Sequence, residues 1–259
     1  MYDILLSFFI YGFLGWCAEV AYAALQEKRF VNRGFLNGPI CPIYGIGVTA
    51  VISVLEVCAE NLFVLYLVSA LLVTALEWAT GFLLEKIFHH KWWDYSDQPL
   101  NIQGYICVPF SLMWGAACVL IVKVIHPVLY KASLLIPVWL GSIFLAGMSV
   151  ILAIDIYVTV TGILKFNRRL TNMEEVAEEL HRLSDQLGEN IYQNMMAGME
   201  KREQIREKAE ELKERYEEML ESQALANRRI FRAFPKMHSG KYEKQLAELK
   251  EHLKKKGRH

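Results

Sequence analysis

The strongest constraint on this chain is where its long apolar runs stop. Up to about residue 164 apolar residues come in unbroken blocks, and beyond it they come singly between charges. A helix needs about 20 consecutive apolar residues to cross a bilayer core. Five runs approach that length, at about 4–25, 39–57, 62–84, 105–126 and 134–160. Charge divides at the same place: residues 1–164 carry 7 Lys/Arg and 10 Asp/Glu, and residues 165–259 carry 21 and 18. The net charge of zero is therefore a cancellation between a −3 part and a +3 part. The expected fold class is all-α: a polytopic membrane bundle of about five transmembrane helices over residues 1–164, followed by a cytoplasmic, coiled-coil-like helical tail over residues 165–259.

The runs differ in quality. The first begins Met1-Tyr2-Asp3 with no positive segment ahead of it, so it is read as a retained helix and not a cleaved leader. The second is crowded at its start by Gly38, Pro39, Pro42, Gly45 and Gly47. The fifth exceeds one span and is expected to leave the membrane as a continuous helix. Loop one holds Lys28, Arg29 and Arg33, loop two around Cys58–Asn61 holds no Lys or Arg, and loop three holds Lys86 and Lys91. Lys165, Arg168 and Arg169 follow the last span. The positive-inside rule then places loops one and three and the tail in the cytoplasm and the N-terminus outside, in a multi-pass plasma-membrane protein. Lys123 and Lys131 in loop four dissent from that pattern. Trp92, Trp93 and Tyr95 suit anchoring at the inner interface. The five cysteines are odd in number and show no CxxC spacing, so they are read as small packing residues.

In the tail, Met173, Val176, Leu180, Leu183 and Leu187 repeat at heptad spacing. Leu187, Ile191 and Met195 form a stutter. The seam resumes at Ile205, Ala209, Leu212, Tyr216 and Met219, and a shorter one runs through Tyr242, Leu246, Leu249 and Leu253. This predicts a helical hairpin or coiled coil, used for self-association or docking. A net +3 over the tail is too little for a nucleic-acid arm.

Charges inside a span are costly and normally face a bundle interior or a cavity. Glu19, Glu77, Glu85 and Asp155 all fall late in outward-to-inward spans, so all four converge on the cytoplasmic half. Arg33 is their most pointed counter-charge, in the stretch Asn32–Pro39. Two readings stand: Glu19, Arg33 and Glu77 as an ion-pair network holding helices in register, or as a working polar site. Loop three adds Trp93, Asp94, Tyr95, Asp97 and Asn101. His89, His90, Asp94 and Asp97 match no closed metal site, and the histidines are read as surface residues beside the membrane. No metal and no cofactor is expected. The chain has no GxxxxGK[ST], HExxH or GxSxG, so it is not itself a P-loop ATPase.

Several stretches taken together resemble a known family. They are Tyr11–Val20, Phe30–Pro39, Pro42–Gly45, Glu77–Gly81, Glu85-Lys86, Trp93–Ser96, Asn101–Gly104 and Trp114-Gly115. As a block over roughly residues 8–127 they resemble the putative ABC-transporter type IV permease family of bacterial membrane proteins. The resemblance implies a polytopic permease component, with a separate ATPase subunit as its partner. Its motif positions coincide with Glu19, Arg33, Glu77, Glu85, Asp94 and Asn101 of the polar cluster.

The leading expectation is a transporter component with a polar inner-leaflet site built from Glu19, Asn32, Arg33, Glu77, Glu85, Asp94, Tyr95, Asn101 and Asp155. It would sit in the lipid bilayer and form a homo-oligomer through the tail. The alternatives are a scaffold or assembly protein acting through the tail, or a membrane-embedded enzyme. In the enzyme reading Glu19 or Glu77 serves as acid or base on a lipid-like substrate and Arg33 holds its head group.

Overall fold

A computed structural model describes residues 1–55, 60–193 and 199–256. The chain divides into two compact units, Met1–Thr161 with Arg232–Met237, and Gly162–Phe231 with His238–His259. The sequence reading assigned everything after residue 164 to the tail. Residues 232–237 instead group with the membrane helices, because Phe234 stacks edge-on against Trp92 at 4.9 Å. Lys236 also reaches Asp97 at 3.5 Å.

In the first unit, α1 (Tyr2–Glu27) ends where Lys28 turns left-handed at φ 53° and its N–H closes on the Ala24 carbonyl. The short apolar helix α2 (Pro42–Leu55) follows. Next comes α3 (Leu62–Phe88), whose cap Asn61 accepts the N–H groups of Phe63 and Val64. It is followed by α4 (Val108–Leu120), a π-helical stretch over Ile121–Ile125 and α5 (His126–Ser133). The wide turn has a local cause, since Pro127 has no N–H to return to the Lys123 carbonyl. The last helix, α6 (Val138–Gln193), begins in this unit and continues into the second.

Among the described residues, four helices are long and apolar enough to cross a membrane: Tyr2–Glu27, Leu62–Phe88, Val108–Ser133 and the apolar part of α6. The second expected run, 39–57, begins its helix at Pro42, and the described part of that helix extends to Leu55. It runs antiparallel to both neighbours. Tyr44 lies on Gly15, Gly45 lies on Phe8, and Ile46 and Ala50 share a groove with Ile4. On its other side Gly47 meets Leu76, and Val51 packs with Leu65 and Cys118. The ends therefore sort themselves. Phe35 of loop one meets Phe88 at 5.9 Å and Trp92 at 5.2 Å, so loops one and three share one end of the bundle. Tyr2 packs on Gly141 at the opposite end.

The 89–107 segment holds a feature absent from the all-α expectation. β1 (Asn101–Ile102) and β2 (Ile106–Cys107) pair antiparallel, Asn101 opposite Cys107. Gly104 makes the turn possible: its φ is +69°, and a Cβ there would collide with Asp94, Ser96 and Lys91. The fourth run accordingly begins its helix at Val108 and not at 105.

In the second unit, the continuation of α6 packs against α7 (Met199–Ala226). Val176, Leu183 and Leu212 are buried, with Leu180, Ile205, Ala209, Tyr216 and Met219 around them. Lys208 pairs with Glu179 at 2.8 Å and Arg169 donates to Gln223 at 3.3 Å, which makes the two helices antiparallel. The two heptad seams thus meet within one chain. A short α8 (Arg228–Ala233) follows, and α9 (Glu243–Lys256) packs its buried Leu246 and Leu249 into the same unit. The Met195 stutter position and Cys58 lie outside the described residues, as do the side chains of Leu187 and Ile191.

Candidate functional site

The four acids of the spans do not form one cluster. Each ties a helix to a loop or a neighbouring element at the end of the bundle that carries loops one and three. On α1, the Tyr44 hydroxyl donates to Glu19 Oε1 at 2.6 Å. Arg33 Nε approaches Glu19 Oε2 at 3.7 Å, with its guanidinium 5.2 Å from the Tyr22 ring centre. Gly15 is required here because the Tyr44 ring occupies the space a Cβ would take. The expected network of Glu19, Arg33 and Glu77 is therefore smaller than supposed: Arg33 pairs with Glu19, and Glu77 is reached through a different partner.

That partner is Tyr95, whose hydroxyl donates to Glu77 Oε1 at 3.3 Å. Glu77 is 8% exposed, and its Oε2 has no hydrogen-bond partner among the described residues. Burial first, then the Glu77 carboxylate and, further down, Cys107 and Glu19, push the Tyr95 hydroxyl well above the usual tyrosine range. Tyr95 thus remains a donor at neutral pH and lies in the field of both carboxylates. About two turns further along α3, Tyr105 donates to Glu85 at 2.8 Å. Burial and that hydrogen bond raise Tyr105 to about 12.

Asp155, on α6, holds loop one. Its Oδ1 accepts from the Asn37 backbone N–H and side-chain amide, both at 3.1 Å, and from Thr159 at 3.3 Å. Its Oδ2 accepts from Gly38 N–H at 2.7 Å. Hydrogen bonds to an ionised acceptor are the stronger kind, so this clamp fixes the loop to the helix.

The remaining expected residues shape backbone. Asn32 accepts from Trp16 Nε1 at 2.8 Å and Gly34 N–H at 3.0 Å, and donates to the Asn37 carbonyl. Asp94 accepts from the Ser96 N–H and hydroxyl and pairs with Lys91 at 3.5 Å. Asn101 donates to the Ser96 and Gln98 carbonyls and accepts from Gly104 N–H. Trp93 donates to the Tyr105 carbonyl at 2.8 Å. Two readings of loop three change. Trp92 is not an interfacial anchor: it is buried among Phe35, Phe88 and Phe234. His90 is not a surface histidine but fully buried, edge-on to Trp92. Among the described residues no three His, Cys, Asp or Glu side chains gather as a metal site.

Of the three tyrosines that bind the acids, Tyr95 was among the expected residues and Tyr44 and Tyr105 were not. Tyr44 lies in the quoted Pro42–Gly45 stretch and Tyr105 just past Asn101–Gly104, but nothing in their spacing assigns them to acids on other elements. Asn37 was visible only as part of Asn37-Gly38-Pro39.

Comparison with known proteins bears on the same region. The sequence profile of a family described as putative ABC-transporter type IV matches residues 6–160. The match runs beyond residue 127, so it takes in the fifth apolar run and Asp155. Comparison with curated proteins and with solved structures returned no match.

Proposed function

The chain belongs to the putative ABC-transporter type IV family, and we propose that it is a permease-type membrane component whose working site lies where Glu19, Arg33, Glu77 and Tyr95 approach one another. The observation that carries this reading is Glu77. Asp155, Asn32, Asp94 and Asn101 are spent on holding loops, whereas Glu77 is buried in an apolar helix with one oxygen unengaged among the described residues. A carboxylate at membrane depth costs about 3 kcal/mol on insertion scales, and helix register alone does not require an acid with half its capacity unused.

The positive-inside argument faces this end to the cytoplasm and the N-terminus outward, in the plasma membrane. Loops one and three at one end, with Tyr2 on Gly141 at the other and Asp155 back at loop one, support an odd number of crossings between the N-terminus and the tail. That end presents Lys28 and Arg29 of loop one and Lys86 in the last turn of α3 as the surface for a separate ATPase subunit, which the chain's own lack of a P-loop calls for. Self-association would use faces of the tail other than its seam, because the seam is filled within the chain.

The test is purification of the full chain from its native membrane in mild detergent. A nucleotide-hydrolysing subunit is expected at fixed stoichiometry, with hydrolysis reduced by Arg33→Ala and Glu19→Gln. Hydrolysis indifferent to both changes in correctly inserted protein overturns the site, and recovery with no ATPase overturns the permease reading. The scaffold reading draws on one observation, the return of Arg232–Met237 to the membrane unit. Deleting residues 172–259 separates the two, since a scaffold loses all activity and a permease loses only assembly.

A further inference from the structure

One face of α3 carries polar atoms that the protein leaves unsatisfied. Leu65, Ser69, Glu77 and Gly81 lie four or eight residues apart and are all buried. Ser69 is fully buried and its Oγ has no hydrogen-bond partner among the described residues; Glu77 Oε2 and the Oγ1 of half-buried Thr74 have none there either, nor does Thr49 Oγ1 on α2. Several other helical hydroxyls behave differently. Ser111, Ser149, Thr161 and Thr171 each donate to the carbonyl four residues back, at 2.7–3.3 Å. That bond is open to any helical Ser or Thr, and Ser69 and Thr74 do not make it.

The three acids nearest in kind to Glu77 are also better provided. Glu19 has a guanidinium and a hydroxyl, Asp155 has two backbone N–H groups, an amide and a hydroxyl, and Glu85 has the Tyr105 hydroxyl at 2.8 Å. Glu77 has one neutral donor, Tyr95, at 3.3 Å, and no ion pair among the described residues. The titratable groups facing the Glu77–Tyr95 pair are Glu19 on α1, Tyr44 on α2 and Cys107 at the end of β2. None of these is a cation, and Arg33 is engaged by Glu19. A buried carboxylate without a cation is neutralised by what it binds.

We propose that Glu77 is a proton-carrying site on the buried face of α3. A proton arrives from hydronium at the Tyr95 end: its O–H bond to water breaks as an O–H bond forms at Glu77 Oε2, and the reverse exchange returns it to water. The inference deepens the permease reading, supplying its polar site with a coupling ion.

Infrared difference spectra of the full chain in nanodiscs, taken between about pH 5 and about pH 9, test it without any ATPase or substrate. A protonated-carboxyl C=O band is expected in the wild type, lost in Glu77→Gln, retained but displaced in Glu77→Asp, and unchanged in Glu210→Gln, an exposed carboxylate of the tail. Proteoliposomes loaded with a pH dye should show proton flux that Glu77→Gln abolishes. If the band survives Glu77→Gln, or flux follows added sodium and not pH, the proposal is overturned, whatever the ATPase experiment returns. Should Glu77→Gln fail to insert, Glu77→Asp carries the test, because an unshifted band there also overturns it.

Discussion

The two units use the same helices with opposite insides. In the tail, leucines and methionines are buried and charges are outside: Leu170, Met173, Leu212 and Leu249 are buried, while Arg206, Glu210 and Lys255 stand in solvent. In the membrane unit many large apolar side chains are exposed, Trp139, Ile143 and Phe144 among them, and Gly15, Gly45 and Gly115 bring neighbouring helices close beside the small cluster of Val51, Leu65 and Cys118. The difference follows from the solvent. Water drives leucines together in the tail, whereas lipid is as apolar as leucine and offers no such drive, leaving close packing and hydrogen bonds to hold the bundle.

The contrast can be broken at several points. The largest effect is expected from Leu212→Ala, about 3 kcal/mol lost from the tail as a buried leucine becomes a cavity, read as an earlier melting transition by circular dichroism of the full chain. Ile143→Ala removes a similar volume from a lipid-facing position and should leave unfolding unchanged. Asp155→Ala is next. It strands the donors of Asn37 and Gly38, at about 2 kcal/mol, and hydrogen exchange at those two amides should rise sharply while the tail stays protected. Tyr44→Phe removes one charge-assisted hydrogen bond, about 1.5 kcal/mol, and should loosen α1 from α2 in a cysteine cross-linking assay. Arg206→Ala, at an exposed pair of the tail, should have no measurable effect on melting. A large loss there, or none at Asp155, would show that the two units do not divide polar and apolar work in this way.

What could be read in the sequence follows the same division. The heptad positions Val176, Leu183 and Leu212 meet as their spacing requires, because burial in water imprints a period. The long apolar runs fix α1, α3, α4–α5 and the start of α6, because the bilayer sets a length. Neither signal says which faces meet inside the membrane. Trp92 and His90 look like interface residues from composition alone, and only loop one and Phe234 closing over them make them core. That Glu19, Glu77, Glu85 and Asp155 lie toward the end carrying loops one and three was legible from their place late in each apolar run. Their division among Tyr44, Tyr95, Tyr105 and Asn37 was not, since those partners lie on other elements, between 18 and 118 residues away. The β1–β2 ribbon is too short to carry an alternating pattern.

The Asp155 clamp also has a consequence in time. Loop one emerges from the ribosome 117 residues before the carboxylate that holds Gly38. Until the last apolar helix has entered the bilayer, the Asn37 and Gly38 amides have no acceptor on that helix. The loop that carries Arg33 therefore cannot set before the chain has finished threading, and a molecule truncated short of Asp155 would keep that end of the bundle unlocked. Completion of the apolar helices is thereby written into a hydrogen bond.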